Sequence, residues 1–369
     1  MSKSFNLLKV SKVNQETKDT VSISFEIPSQ LEKDYSYTQG QYLTLKFNID
    51  GKEERRAYSM SSSPLEDEMT VTVKRVEGGV VSNYIHDKIN VGSEVEVMQP
   101  DGRFYSKLDP SNRKSYYMFG AGSGITPLMS IAATILEKEP QSSVALLYGN
   151  RNEESIIFRE KLNALSKKYE GQFKCEHMLS QPKMEKKGGL GGIFAKAKPS
   201  WQGLIGRIGP SEISKFLKEN TSIYKDAEYF ICGPGNMIDT VEKSLLTKNI
   251  DKSNIHTERF VTAKSDSAAT NTVAPTGGDS KVTFTFNGET KSLTVPAGKN
   301  ILQEMIDQKL EPPYSCTSGA CSTCMAKMTK GEVEMEVCYA LDDDEIKNGY
   351  ILCCQSKAKT AEVVLNFDE

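Results

Sequence analysis

The stretch 314–324, Tyr-Ser-Cys-Thr-Ser-Gly-Ala-Cys-Ser-Thr-Cys, constrains this chain more than any other. Cys316, Cys321 and Cys324 are spaced C-x4-C-x2-C, and Cys354 lies thirty positions after Cys324. That is the plant-type spacing for a [2Fe-2S] cluster, unlike the tighter C-x2-C-x2-C run of four-iron ferredoxins. The intervening residues are small or polar. Gly319 supplies a position without a Cβ, where the backbone must approach a cluster closely. A structural zinc site usually pairs two short Cys-x2–4-Cys elements, and only one is present. Disulfides are not expected, because the N-terminus shows no secretory signal. Cys353 and Cys354 compete for the fourth ligand position. Cys175 and Cys338 read as ordinary packed thiols.

A chain of 369 residues implies two or three domains. It contains no apolar run of 18 residues, so no membrane span is expected. Eight cysteines, four of them assigned to iron, fit a reducing cytoplasm. The near-balanced charge of −3 conceals an asymmetry. Residues 280–369 hold 9 basic and 14 acidic residues, whereas residues 1–279 carry a small positive excess. An acidic terminal domain argues against nucleic acid and suits docking onto a complementary protein surface.

Residues 5–13, 20–27, 41–48 and 69–76 alternate apolar and polar residues between turn signals, which predicts short antiparallel strands of a barrel. A short helix is expected over 80–89. From residue 115 strands and helices alternate: strands at 116–119, 144–148, 173–179 and 229–232, helices at 128–137, 157–168 and from 211. This pattern implies a parallel, doubly wound sheet. Residues 183–198 are basic and Gly-rich, and residues 261–279 lack large side chains. The first reads as a surface loop and the second as a flexible linker. A hairpin around Asn287-Gly288, a helix over 300–308 and late strands at 350–352 and 363–367 complete a small α+β domain.

Arg56-Ala57-Tyr58-Ser59 ends a strand. A flavin needs an aromatic plane beside its ring, a hydroxyl near N5 and a cation for its phosphates, and these residues supply all three. Val73 and Lys74, closing the next strand, belong to the same expected site. Gly79, Val80, Val81 and Ser82 open a helix whose N-terminus suits a pyrophosphate. A second phosphate loop runs over 120–127, where Gly122 and Gly124 let the backbone approach a dinucleotide at a helix N-terminus. Pro127 takes a first-turn position. No acidic residue closes the next strand to hold a ribose. Arg151 follows it and can pair with a 2′-phosphate, which favours NADPH, with NADH as the alternative. Cys232, Gly233 and Pro234 let a nicotinamide approach, and Glu258 and Phe260 close the reductase part.

Arg-x-Tyr-Ser, Gly-Val-Val-Ser, Gly-x-Gly-x-x-Thr-Pro, Cys-Gly-Pro and a terminal Glu-x-Phe, in that order, resemble the ferredoxin–NADP reductase superfamily. With the C-terminal cluster motif, the whole resembles oxygenase reductases of the phenylacetyl-CoA epoxidase type. The resemblance covers nearly the whole chain. It implies an antiparallel β-barrel FAD domain over 1–110, an α/β doubly wound NAD(P) domain over 111–260, a linker over 261–279 and a β-grasp ferredoxin domain over 280–369. It implies FAD contacts from Arg56, Tyr58, Ser59 and Ser82, and nicotinamide contacts from Thr126 and Cys232. Ser59, Cys232 and Glu258 are the expected catalytic residues. The 350–354 segment is similar to the strand that ends at the fourth ligand of plant-type ferredoxins, which selects Cys354 over Cys353. Electrons are then expected to pass from NADPH through FAD and the cluster to an oxygenase, hydroxylase or desaturase. A general electron-transfer reductase without a dedicated oxygenase is the alternative. A non-catalytic redox sensor needs neither phosphate loop. With no globin before residue 5, nitric-oxide dioxygenation is not expected.

Overall fold

The structure, a computed structural model, describes residues 4–185, 197–222, 224–260 and 278–369. Eleven residues of the basic loop (186–196) and most of the expected linker (261–277) lie outside the described residues.

The first unit is a six-stranded antiparallel sheet. Its strands are β1 (Phe5–Thr17), β2 (Thr20–Glu26), β3 (Tyr42–Ile49), β4 (Lys52–Ser59), β5 (Met69–Lys74) and β6 (Glu94–Asp101), in the order β4-β3-β6-β1-β2-β5. Met60, just past β4, bridges to Val71 of β5 and closes the sheet into a barrel. Val21, Ile23 and Phe25 alternate into its core with Leu8, Leu43, Leu45 and Val71. On the other face, Ser22 pairs with Thr72 and Ser24 with Thr70, hydroxyl to hydroxyl at 2.8 Å. The four expected strands are present, and β4 and β6 join them. The end of β4 at Arg56–Ser59 is the expected strand end, while its first half is hidden because Lys-Glu-Glu-Arg-Arg has no apolar alternation. The strand ends the sheet order, is held by a full ladder to β3, and pairs its own charges along its length, as in Arg55–Glu53. Helix α1 (Val80–Lys88) buries Val81 and Ile85 against the barrel.

The second unit is a parallel sheet. In chain order its elements are β7 (Ser115–Ala121), α2 (Ile125–Lys138), β8 (Ser143–Asn150), α3 (Arg159–Lys168), β9 (Phe173–Leu179), the short pair β10 (Met184–Glu185) and β11 (Lys198–Pro199), β12 (Leu204–Ile205), α4 (Pro210–Glu219), β13 (Ala227–Gly233), α5 (Gly235–Thr247) and β14 (Ile255–Arg259). The sheet order is β12-β9-β8-β7-β13-β14. The unbroken apolar run in β7 follows from burial on both faces. Tyr116 and Met118 join the core under α2 and α3, while Tyr117 and Phe119 join the core under α4 and α5. α3 starts two residues later than expected, because Phe158 turns to φ +60° with its ring buried. Ser130 of α2 donates to Ser62 O at 2.6 Å, and Thr134 pairs with Ser63 at 2.9 Å, which fixes this unit against the barrel.

The third unit contains β15 (Ser280–Phe286), β16 (Glu289–Val295), α6 (Ile301–Asp307), β17 (Met325–Lys330), β18 (Val333–Met335), α7 (Asp343–Lys347), β19 (Tyr350–Leu352), β20 (Ser356–Ala358) and β21 (Glu362–Asn366). Its main sheet runs β16-β15-β21-β17-β19, with β15 and β21 parallel. The Asn287-Gly288 turn has φ of 55° and 74°, and the Asp368 carboxylate accepts both of its N–H groups at 2.9 Å.

Candidate functional site

The four thiols of the cysteine motif gather as two pairs. Cys316 is in hydrogen-bond reach of Cys321, and Cys324 of Cys354. Cys316 is lowered by the Cys321 thiol, against its burial, with help from the N–H groups of Ser318 and Ala320. Cys354 is lowered by Cys324 in the same way, while Cys321 and Cys324, the donors, are pushed up. Among the described residues no three His, Cys, Asp or Glu side chains close around one point as a single ion requires. Two pairs suit two irons, each taking two thiolates. The loop needs its glycine: Gly319 has φ +73°, and a Cβ there would lie 2.8 Å from Val337 O. Ser318 N–H points at Cys316 Sγ at 3.4 Å. Cys353 turns away into the core, its N–H donating to Cys324 O at 3.1 Å.

This loop faces the barrel across a cleft of about 280 Å³. Arg56, Ala57 and Ser59 of β4, with Tyr42, form one wall. Cys316, Thr317, Ser318, Ala320 and Cys321 form the other, and Glu258, Arg259 and Phe260 close the end. Ser59 Oγ donates to Glu258 Oε2 at 3.0 Å. Glu258 keeps some surface as a whole residue, but its carboxyl is enclosed. Burial pushes that carboxyl up to about 7, and the Ser59 hydrogen bond opposes the rise. Tyr58 packs its ring on the barrel core. Val73 is wholly inside that core, and its carbonyl is engaged by His86 Nε2 at 3.0 Å. At the start of α1, Ser82 Oγ accepts from Val76 N–H at 3.1 Å; Val80 is exposed and Val81 buried.

A larger cleft, of about 900 Å³, opens over the parallel sheet. Gly122, Ser123, Arg151, Gly233, Pro234 and Phe260 line it, and Lys74 reaches it from β5. Gly124 lies so close to β13 that a Cβ would sit 2.1 Å from Cys232 O. Thr126 caps back onto Ser123 O at 3.1 Å. The Cys232 thiol belongs to the sheet core and lines neither cleft; burial and the nearby Glu258 charge push it up. Phe260 lines both clefts.

Three family models fall on these units: an oxidoreductase FAD-binding domain on residues 7–105, an oxidoreductase NAD-binding domain on 118–243 and a 2Fe-2S iron-sulfur cluster binding domain on 284–359. The chain is 37% identical to one of the subunits of 1,2-phenylacetyl-CoA epoxidase from Escherichia coli (strain K12), over 99% of this chain and 98% of that one. The chain belongs to the family of modular FAD and [2Fe-2S] reductases. Against the ferredoxin reductase component of 3-ketosteroid-9-alpha-monooxygenase from Rhodococcus rhodochrous it is 34% identical over 98% and 96% of the two chains. The solved structure of phthalate dioxygenase reductase superposes with a TM-score of 0.57 at 26% identity, covering 98% of each chain. The protein is thus an oxidoreductase using FAD, NAD(P)H and a [2Fe-2S] cluster, and the three-part architecture matches the expected one. No helix among the described residues is long and apolar enough to cross a membrane.

Several residues of the reductase's clefts carry no signal in the sequence. Arg207, Ser155 and Ser180 line the large cleft beside Arg151, and Asn150 there keeps an unpartnered Nδ2. Tyr339, from the cluster domain, also reaches that cleft and lies under the Arg259 guanidinium at 5.0 Å. Tyr314 donates to Glu53 Oε1 at 3.0 Å and stacks under Arg55 at 3.9 Å. The adjacent arginines therefore serve different neighbours: Arg56 lines the small cleft and Arg55 grips the cluster domain. Arg-x-Tyr-Ser marks Arg56 in the sequence, but nothing there marks Arg55 as a contact to the cluster domain.

Proposed function

We propose that this reductase supplies electrons from NADPH, in preference to NADH, to an oxygenase partner that docks near the cluster domain. The carrying observation is the small cleft, where the flavin motif and the cysteine loop are opposite walls of one space. When bound, the flavin exchanges a hydride for single electrons and the cluster carries one electron at a time.

The chain's own residues hold and orient. Arg56 is assigned to the flavin phosphates, Tyr58 and Ala57 to the ring, and Gly79 to Ser82 with the α1 N-terminus to the pyrophosphate. Ser59 is assigned to the reactive nitrogen of the flavin, and its hydroxyl donates to Glu258 Oε2. Gly122, Gly124 and Thr126 shape the dinucleotide loop, Gly233 and Pro234 leave room for the nicotinamide over Cys232, and Phe260 keeps water from the junction of the two clefts. Arg151 is assigned to the 2′-phosphate. Cys316, Cys321, Cys324 and Cys354 are assigned to iron. One relative is named as part of an epoxidase, and others as reductase components of ketosteroid and glycine betaine monooxygenases; these support an oxygenase partner of that kind.

Anaerobic addition of NADPH to the purified holoprotein tests this. The flavin band should bleach and the cluster band should follow. A cluster that stays oxidised while the flavin is reduced would refute the relay. Co-purification with a di-iron or Rieske oxygenase, set against none, separates a dedicated partner from a general electron-transfer role.

A further inference from the structure

β3 presents two hydroxyl side chains, Tyr42 and Thr44, on one face toward the cysteine loop. Thr44 Oγ1 donates to Ser315 Oγ at 2.8 Å. Tyr42, 5% exposed, places its hydroxyl 2.8 Å from Thr323 Oγ1. Thr323 stands between Cys321 and Cys324, and its Oγ1 is 3.5 Å from Cys321 Sγ. Of the two arms, only the one through Tyr42 continues to a sulfur. Both arms cross from the barrel to the cluster domain, and all four hydroxyl groups are buried.

The hydrogen count fixes the direction of the chain. A hydroxyl has one hydrogen and two acceptor positions. Cys321 bound to iron is a thiolate and only accepts. Both bonds are made together only when Thr323 aims its one hydrogen at Sγ and its oxygen accepts from Tyr42. A donor behind a donor polarises it and strengthens the second bond. A reduced cluster carries one more negative charge than an oxidised one, so hydrogen bonds to its sulfurs favour the reduced form.

We propose that Tyr42 is a positioning residue for the cluster: through Thr323 its hydroxyl orients a hydrogen bond onto Cys321 Sγ and raises the cluster's reduction potential while the cluster domain is seated on the barrel. This rests on the reading of Cys316, Cys321, Cys324 and Cys354 as the iron ligands. It ties the potential to docking, because the donor belongs to a different domain from the sulfur.

The test is the midpoint potential of the cluster in the full-length holoprotein, with the electron paramagnetic resonance signal of the reduced cluster as a second readout. Thr323→Val should move the balance toward the oxidised form by roughly tenfold, about 59 mV for one electron. Tyr42→Phe should move it in the same direction by less, the double variant should match Thr323→Val alone, and Thr323→Ser should restore the wild-type value. Thr44→Val breaks the neighbouring contact without touching Thr323 and should leave the potential in place. An unmoved potential in Tyr42→Phe overturns the proposal. So does a Thr44→Val shift equal to that of Tyr42→Phe, since the effect is then one of seating alone. Absent cluster bands in the wild-type protein sink the ligand reading itself, a result distinct from a cluster present with an unmoved potential.

Discussion

Ser59 Oγ and Glu258 Oε2 are joined by a 3.0 Å hydrogen bond between residues 199 positions apart. Ser59 ends β4 at the edge of the barrel, and Glu258 lies on β14 at the edge of the parallel sheet. The bond thus spans the seam where the flavin and dinucleotide domains meet. Glu258 also stands beside Cys232 in the β13–β14 ladder, so the start of Cys-Gly-Pro and the start of Glu-x-Phe are neighbours by register.

The raised Glu258 carboxyl makes stability depend on pH. Its folded value of about 7 lies above the ordinary 4.5, so between these the folded chain binds more protons than the unfolded one. Stability from this group is present below about 4.5 and is lost as pH rises through about 7. In the flavin-free protein, the Tm of the wild type should fall relative to that of Glu258→Gln between about pH 5 and pH 8. Parallel Tm curves for the two proteins would rule this out.

Gly124→Ala should destabilise the dinucleotide domain strongly. The added Cβ meets the Cys232 carbonyl at 2.1 Å, and that carbonyl is ladder backbone, which cannot swing aside. Overpacking costs about 1–3 kcal/mol in general, and a backbone clash belongs at the upper end. For a domain of this size about 3 kcal/mol corresponds to a Tm lower by roughly 6–12 °C. Gly122→Ala, at φ +55° with open space around its Cβ, should cost less. The reverse order in thermal melts would contradict the geometry.

The parts of this fold that were legible in the sequence are those where local chemistry repeats. The alternation in β2 and β5, the apolar run of β7 and the Asn287-Gly288 turn each carry their own signal. The cysteine loop was legible because its spacing has few other uses. Only the end of β4 was legible, since its charged first half has no apolar alternation. The seating of the cluster domain was equally hidden. Tyr42, Thr44 and Glu53 are ordinary strand residues until Thr323, Ser315 and Tyr314 lie opposite them. Arg207 was missed because it comes from the crossover after β12, more than fifty positions from Arg151.

Cys354→Ser should abolish the cluster and leave FAD bound, while Cys353→Ser should retain iron. Cys354 is within reach of Cys324, with Gln355 Nε2 3.8 Å from its sulfur, whereas Cys353 has no thiol hydrogen-bond partner among the described residues and is pushed up by burial. Iron content per flavin in the two variants decides the matter, and loss of iron in Cys353→Ser alone would reverse the assignment.

NADPH preference should depend on Arg151 and Arg207 together. Both line the large cleft, where Ser155 and Ser180 lie on the same wall with their hydroxyls donating to Asn152 O and Asn150 O. A 2′-phosphate carries about two negative charges, and each guanidinium can meet it through two N–H groups. A charge-assisted contact contributes about 1.5–3 kcal/mol, or roughly 10- to 150-fold in affinity. Arg151 is exposed, so solvent and salt hold its share to the low end. Arg151→Ala should therefore raise the KM for NADPH roughly tenfold and leave NADH nearly unchanged. Adding Arg207→Ala should remove what preference remains. Because exposed charges are screened, the Arg151 effect should shrink at moderate salt, whereas a defect in folding would not. Steady-state kinetics with both nucleotides at two salt concentrations check each step. Equal efficiency with NADH and NADPH in the wild type removes the preference itself. A preference that survives the double substitution moves recognition to another part of the wall.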